Sequence, residues 1–182
     1  VVTENTGSWF WMQEPDRSAA IRVAGFWPSV VPGDTVSVSG TLGLHGNERA
    51  LTAAAVLRTG SATLPAPVSM RTRDVGGPPV APHTPGVTRP PAAGVHTVGL
   101  RVRATGTVTS SSPPSGFYLD DGCGLSDGSG KGLRVTHWPQ HATPAPGQMV
   151  SVVGNAGMYA TSGGNAPLLW CGPAGSIEVV AP

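Results

Sequence analysis

The sequence predicts an all-β protein made of two copies of one small domain. The 182 residues include 26 glycines and 19 prolines, and only 12% of them are charged. No run of ten or more residues shows clean helical periodicity, so short strands and turns should dominate. A chain of this length has room for two domains of roughly 80 residues each, and an internal repeat divides it in that way.

The repeat has the same order of segments in both halves of the chain. The first half carries SWFWMQEPDRSAAIRV at residues 8–23 and PGDTVSVSGTLG from Pro32, and the second half carries SGFYLDDGCGLSDGSGKGLRV at residues 115–135 and PGQMVSVVGNAG from Pro146. Each copy runs from an aromatic strand through an acidic, turn-rich loop to an Arg-Val strand. A Pro-Gly turn then opens a strand with alternating valines, as expected of a half-buried strand.

This order of elements resembles a five-stranded OB-fold, a Greek-key barrel, and more closely the tandem OB-fold repeat domains of exported bacterial surface proteins. The motifs FYLDDG and GLRV in the second copy carry the likeness together with the segments quoted above. Between the copies, PVSMRTRDVGG and GLRVRATGTVT look like a connector and a first strand. The resemblance implies two tandem barrels at residues 1–60 and 98–182, joined by a Pro/Gly-rich connector at residues 61–97.

Strand alternation separates the predicted core from the predicted surface. Phe10 and Met12 of the first aromatic strand align with Phe117 and Leu119 of the second. Because successive side chains of a strand point to opposite faces, these apolar positions should face the barrel interior. The residues between them should then point outward.

The outward positions give the candidate contact surface of the protein. Its members are the residues Trp9, Trp11, Arg22, Trp27, Tyr118 and Arg134. On binding OB-folds such aromatic side chains stack bases or sugars, but tryptophan and arginine are also favoured at protein interfaces. The formal net charge is +1 and Lys131 is the only lysine, which favours protein packing and makes nucleic acid a less favoured partner.

The chain has two cysteines, Cys123 and Cys171, both in the second copy. A composition rich in Ser, Thr, Gly and Pro is typical of exported proteins, so we expect a disulfide between them. Unconnected thiols are the simpler alternative. A zinc set with His137 and His141 is a third, but Pro139 and the lack of a Cys-x-x-Cys turn argue against a metal site.

The sequence offers little for catalysis or for cofactors. It contains no Gly-x-Ser-x-Gly elbow and no phosphate-binding glycine loop with Lys-Ser or Lys-Thr. Asp120, Asp121 and Asp127 lie in a loop whose spacing departs from that of a calcium loop, so ordinary turns are favoured over a metal. We therefore expect a protein that is not an enzyme and has no cofactor.

The first strand of the first copy is the main departure from the repeat. The second copy has a strand at residues 98–109, whereas only residues 1–3 precede the first turn of the first copy. An open barrel edge recruits a strand from elsewhere, either from chain missing here or from a neighbouring subunit. Residues 176–182 are the favoured donor, since prolines in the connector lack the N–H that a sheet needs.

These features lead to a functional hypothesis. We expect an extracellular or cell-surface structural protein that assembles with copies of itself into a filament or surface layer. The alternative is an exported binding module for single-stranded nucleic acid or oligosaccharide. Thr84 precedes Pro85 and is a candidate O-glycan site, so a glycan is a further candidate partner. No apolar run approaches the roughly 20 residues that span a bilayer.

Overall fold

Strands make up nearly all the regular structure of the protein. The computed structural model describes residues 1–80, 82–112 and 116–181, and in these it has two β-sheets and one short 3-10 helix, Thr72–Asp74. Ser115 of the second repeat and Pro182 of the second predicted domain lie outside the described residues. The all-β prediction is confirmed. None of the described helical structure is long and apolar enough to cross a bilayer.

The first sheet has five strands, which lie within the first predicted domain except for the last residue of the fifth, Ser61. They are β1 (Val2–Asn5), β2 (Trp9–Gln13), β3 (Ala20–Ala24), β4 (Asp34–His45) and β5 (Glu48–Ser61). Their spatial order is β1-β2-β3-β5-β4. The β3–β5 pair is parallel and the other pairs are antiparallel.

The second sheet has seven strands. They are β6 (Val68–Ser69), β7 (Arg101–Ser112), β8 (Gly116–Asp120), β9 (Leu133–His137), β10 (Met149–Thr161), β11 (Gly164–Cys171) and β12 (Ser176–Ala181). Their order is β12-β10-β11-β9-β8-β7-β6, and β7 also pairs with β10. That extra pairing closes β7 to β11 into a barrel-like ring. Strand β12 follows β11 along the same partner, β10.

The two sheets share one pairing scheme, with β1 to β5 in the roles of β7 to β11. Phe10 lies opposite Val23 in the first sheet, and Phe117 lies opposite Val135 in the second. The β9–β11 pair is parallel, as is β3–β5. The internal repeat of the sequence is therefore also a repeat of strand order.

Each sheet encloses its own apolar cluster. Phe10, Val2 and Val23 are fully buried in the first. The second cluster is larger and includes Phe117 and Leu119, in agreement with the alternation of the aromatic strands. Met12 packs against the first cluster but stays partly exposed.

The closing strand distinguishes the two sheets. In the second sheet, residues 101–107 of β7 pair with residues 149–155 of β10. The first sheet keeps only the start of this pairing. Gly33 N donates to Val2 O at 2.9 Å, which corresponds to the bond from Gly147 N to Val108 O at 2.8 Å in the second sheet. Beyond that point no described strand lies along the outer side of β4. The second sheet is thus a ring, whereas the first stays open.

The proline-rich connector is packed against the second sheet. Val75 is fully buried in the second core, and Val87 forms a separate small cluster with Val98 and Met158. Thr88 and Arg89 both donate their backbone N–H to Asn165 O at 2.9 Å. These contacts hold the connector against β10 and β11 of the second sheet.

The predicted disulfide is wrong, since both cysteines are free thiols. Cys123 follows β8, is partly exposed and lies with its Sγ 3.1 Å from Thr72 Oγ1. Cys171 ends β11, is buried and has its Sγ 3.7 Å from Ser176 O. The two side chains have different neighbours, the 3-10 helix for Cys123 and the first residue of β12 for Cys171.

The alternative zinc set is not assembled either. His137 Nε2 lies 2.9 Å from Thr143 Oγ1, and His141 Nε2 lies 2.9 Å from Gly172 O. Within the described ranges, no three His, Cys, Asp or Glu side chains come together as they would around a metal ion.

The two thiols should differ sharply in reactivity. Burial, and after it the charge of Glu4, raises the pKa of the Cys171 thiol to about 12, so this thiol stays protonated and shielded near neutral pH. We expect an alkylating reagent to label Cys123 alone in the folded protein and both cysteines after unfolding. Mass spectrometry of the labelled, unreduced protein measures this. A folded protein that takes no label, and takes two only after reduction, would contradict the structure.

Candidate functional site

The outward face of β2 and β3 is covered by the second sheet of the same chain. The Trp11 side chain is only 1% exposed and its ring centroid lies 6.1 Å from that of Trp170 on β11. Trp9 completes a cluster, 6.3 Å from each of the other two rings and edge-on to both. We call each sheet together with its apolar cluster a unit, and the contact between them the junction. The aromatic positions that the sequence places on the surface of the first unit thus lie at this junction.

Polar contacts accompany the tryptophan cluster across the same junction. Asn155 Nδ2 donates to Thr3 Oγ1 at 2.8 Å. Arg101 N donates to Gln13 Oε1 at 2.8 Å. These bonds are side-chain specific, so they fix the orientation of one sheet on the other in a way that apolar packing alone would not.

A further carboxylate, Glu4, reaches across the junction from β1. Its Oε2 accepts a hydrogen bond from Ala174 N at 2.9 Å, and its side chain is buried. Burial raises the pKa of Glu4, because a carboxylate loses favourable hydration when it leaves water.

An ion pair of Arg22 and Glu48 lies beside the tryptophans. Arg22 Nη1 is 3.3 Å from Glu48 Oε2, and both side chains are more than nine-tenths buried. Glu48 Oε1 accepts a hydrogen bond from Met158 N at 2.7 Å, which ties β5 to β10. The guanidinium also donates to His45 O and lies 5.8 Å from the Trp9 ring centroid.

Burial acts on both members of this pair. It lowers the pKa of Arg22 and raises the pKa of Glu48, and in each case the partner's charge opposes the shift. Removing either side chain alone would leave a buried charge without its counter-ion. Such a loss is far more costly than the net contribution of the intact pair.

A cleft of about 430 Å³ opens from this ion pair to the surface between the first sheet and the connector. Trp11, Arg22 and Glu48 belong to the buried part of its wall, together with Val98 and Leu100. Val80 and Val95 of the connector also line the cleft and are 49% and 77% exposed. The cleft is therefore bounded by both units and by the connector that joins them.

Two donors of the lining residues, Trp11 Nε1 and Arg22 Nε, have no hydrogen-bond partner among the described residues, and both atoms are shielded from solvent. The charge of Glu48 Oε2 is balanced by Arg22 Nη1 at 3.3 Å. Buried indole N–H groups without a partner among the described residues also occur at Trp9, Trp27 and Trp170, so this feature does not distinguish the cleft from the rest of the junction.

The other predicted site residues lie elsewhere. Tyr118 and Arg134 stand on β8 and β9 of the second sheet, where Tyr118 Oη donates to Asp127 Oδ2 at 2.8 Å. Tyr159 donates to the same carboxylate, and Arg134 lies 4.9 Å from the Tyr159 ring centroid. A cavity of about 340 Å³ lies against this group.

Trp27 belongs to neither group, because it packs partly buried against the core of the first sheet. The structure therefore brings together Trp9, Trp11 and Arg22, and places the other three predicted site residues at a distance from the cleft. Glu48 and Trp170 were missed by the sequence reasoning. The sequence signal for Glu48 is a lone acidic residue at the start of the strand sequence ERALTAAAV.

Comparison with known proteins identified no relative. No protein-family model matches the chain, and neither the curated proteins nor the solved structures gave a match. The function is consequently inferred from the geometry.

The Arg22–Glu48 pair should behave as a unit. We expect Glu48→Met to destabilise the protein by about 3 kcal/mol, because Arg22 is then buried without an anion and Met158 N loses its acceptor. The double variant Arg22→Met/Glu48→Met should recover part of that loss. Chemical denaturation followed by tryptophan fluorescence measures both.

The exposed pair of Lys131 and Asp120, 2.7 Å apart, provides the control. Lys131→Met should shift the denaturation midpoint little, because solvent screens a charge that is two-thirds exposed. For the buried pair, the contradicting outcome is additivity. If Arg22→Met/Glu48→Met lost the full sum of the stability losses of Arg22→Met and Glu48→Met, then Arg22 and Glu48 would not be coupled.

Tyr118 should ionise unusually late. Burial and the hydrogen bond to Asp127 raise its pKa to about 12. A raised pKa in the folded state means that the stability contributed by the neutral phenol is present below the ordinary value of about 10 and is lost between pH 10 and 12. In a Tyr159→Phe variant, Tyr118 is the only tyrosine, so phenolate absorbance reports it directly.

Adding Asp127→Asn to that variant should move the absorbance midpoint toward 10, since the carboxylate that opposes ionisation is gone. A midpoint already near 10 in the folded Tyr159→Phe protein would show that the Tyr118–Asp127 bond does not form.

Proposed function

We propose that the chain is a non-enzymatic, extracellular structural protein built from two tandem OB-fold barrels, and that it assembles with copies of itself into a filament or surface layer. The strand order supports the OB-fold part. Strands β1 to β3 form an antiparallel meander, and so do strands β7 to β9. The last strand of each meander pairs in parallel with β5 or β11, and these two pair antiparallel with β4 and β10. A five-stranded Greek-key barrel has this connectivity.

The observation that carries the assembly proposal is the vacant strand position beside β4. In the second unit, residues 101–107 occupy this position along β10, and Val102 and Ala104 of that segment are buried. The matching stretch of β4, residues 35–41, has no such neighbour in the part of the chain that the structure describes. Its backbone N–H and C=O groups on that side are free to pair with an added strand.

An apolar groove of about 480 Å³ lies at the same place. Val1, Met12, Ile21 and Val36 line it, and the last three also pack against the first core. An added strand would therefore do two things at once. It would pair with the β4 backbone and bury side chains that belong to the core, as residues 101–107 do in the second unit.

The occupant that fits this vacancy is β12 of a second copy. Within the described residues β12 pairs only with β10, so its other edge is open. Val179 and Val180 are 55% and 60% exposed on this strand. Because β4 and β12 are different surfaces, the contact is head-to-tail and can repeat without closing, which gives a polymer.

A charge placed in the groove should stop assembly. We expect Val36→Lys, which puts an ammonium among the apolar residues of the groove, to leave the protein monomeric under conditions in which the unchanged protein polymerises. Val179→Lys on β12 should do the same from the other side. Sedimentation velocity and electron micrographs of purified protein measure assembly, and circular dichroism checks that the sheets are formed.

Thr105→Lys is the matched control, since it adds the same charge at an exposed position on β7 that is already paired with β10. It should assemble normally. A peptide with the sequence RVRATGT, residues 101–107, should compete for the vacancy and inhibit assembly. Purified protein that stays monomeric throughout a concentration series would refute self-assembly, and assembly that survives Val179→Lys but not Val36→Lys would refute β12 as the occupant.

A further inference from the structure

The outer face of the second sheet carries a row of polar side chains that ends at Arg134. Ser110, Tyr118 and Arg134 lie opposite one another on three neighbouring strands, β7, β8 and β9. The cavity of about 340 Å³ lies against this row. The hydroxyl residues that complete its lining are Ser111, Ser129 and Thr136. Arg134, Ser110 and Ser129 are exposed, so a molecule in solution can reach the polar groups of the cavity.

Two tyrosines hold the wall of this cavity in place. The Arg134 guanidinium lies 4.9 Å from the Tyr159 ring centroid, which is a cation–π distance. The hydroxyl groups of Tyr118 and Tyr159 both donate to Asp127 Oδ2. Asp127 Oδ1 accepts two backbone N–H groups of the turn that follows it, at 2.7 and 2.9 Å. The Asp127 carboxylate is thus bound within the chain, and it does not line the cavity.

The lining favours a negatively charged occupant. Among the described residues that line the cavity there is one cation, the Arg134 guanidinium, and no carboxylate. A guanidinium donates hydrogen bonds and accepts none, and its planar fork matches the two oxygens of a carboxylate. The hydroxyl groups around it can also donate. An acceptor-rich anion therefore fits this cavity better than a neutral or a cationic molecule does.

The internal repeat gives an independent reason to expect a carboxylate here. Arg134 opposite Tyr118 takes the place of Arg22 opposite Trp11 in the first sheet. The Arg22 guanidinium lies 5.8 Å from a tryptophan ring centroid and 3.3 Å from the carboxylate of Glu48. Arg134 also lies beside an aromatic ring, but it forms no ion pair in the part of the chain that the structure describes. The second sheet thus repeats the arginine without its carboxylate.

We propose that the cavity beside Arg134 binds the carboxylate group of a small acidic ligand. This carboxylate takes the place that Glu48 fills beside Arg22, and its oxygens accept hydrogen bonds from the guanidinium and from the hydroxyl groups of the lining. The cavity belongs to the second sheet and the vacant edge of β4 to the first. The binding therefore goes beyond the proposed assembly and does not depend on it.

NMR titration of the purified, full-length chain tests the proposal. The probes are propionate, which reproduces the end of a glutamate side chain, and D-glucuronate, each compared with its neutral amide at millimolar concentrations and constant ionic strength. We expect at least one of the two acids to shift the backbone amide signals of Ser129 and Thr136 in a saturable way, and neither amide to do so. Equal shifts with acid and amide, or no shift with either acid, would overturn the proposal. Inorganic phosphate or sulfate that bound more tightly than both acids would overturn the assignment to a carboxylate.

Three variants assign the binding to the guanidinium. Arg134→Gln should abolish the saturable shifts, and Arg134→Lys should weaken binding, because an ammonium keeps the charge but lacks the planar fork. Arg103→Gln is the matched control, since it removes the same charge from an exposed arginine of β7 that does not line the cavity. It should bind propionate and D-glucuronate as the unchanged protein does. Undiminished binding by Arg134→Gln would overturn the proposal, as would an equal loss in Arg103→Gln.

Discussion

The burial of the Glu48 carboxylate between the two sheets is the interaction on which the arrangement of the molecule depends. Glu48 belongs to β5, receives a hydrogen bond from Met158 on β10 and faces Arg22 on β3. A buried carboxylate is tolerated only when it has such partners, so the two sheets can associate only in the orientation that supplies them. The tryptophan cluster provides the apolar contact area at this junction, and the contacts of Glu48 fix the orientation of one sheet on the other.

A glycine makes this contact possible. A Cβ atom at Gly157 on β10 would lie 2.5 Å from Glu48 Oε1 and 2.8 Å from the Trp170 ring. Any side chain there would push the carboxylate and the indole away from the positions they hold. The close approach of the sheets therefore depends on a residue with no chemistry of its own, which a motif search would pass over.

Local alternation predicts much of this fold, and non-local packing explains where the prediction fails. The pattern around Phe10 and Met12 places the core correctly, because side-chain direction along a strand is set by neighbouring residues. The same pattern sends Trp11 outward, which is right for the first sheet but does not reveal that Trp170 covers it. The disulfide prediction failed for a similar reason, since the spacing of Cys123 and Cys171 along the chain does not define the direction of their side chains.

The two copies of one sheet have thus taken different roles through the fate of equivalent surfaces. The β2–β3 face of the first unit is covered by the second unit, whereas the matching β8–β9 face keeps Arg134 exposed beside Tyr118. Conversely, the strand position beside β10 is filled and the one beside β4 is vacant. The junction is tied by Glu4, Glu48 and the tryptophans, so rotation of one unit on the other would expose buried charge and cannot close the vacant position beside β4. The open edge is therefore a fixed feature of the molecule, which a partner strand meets already formed.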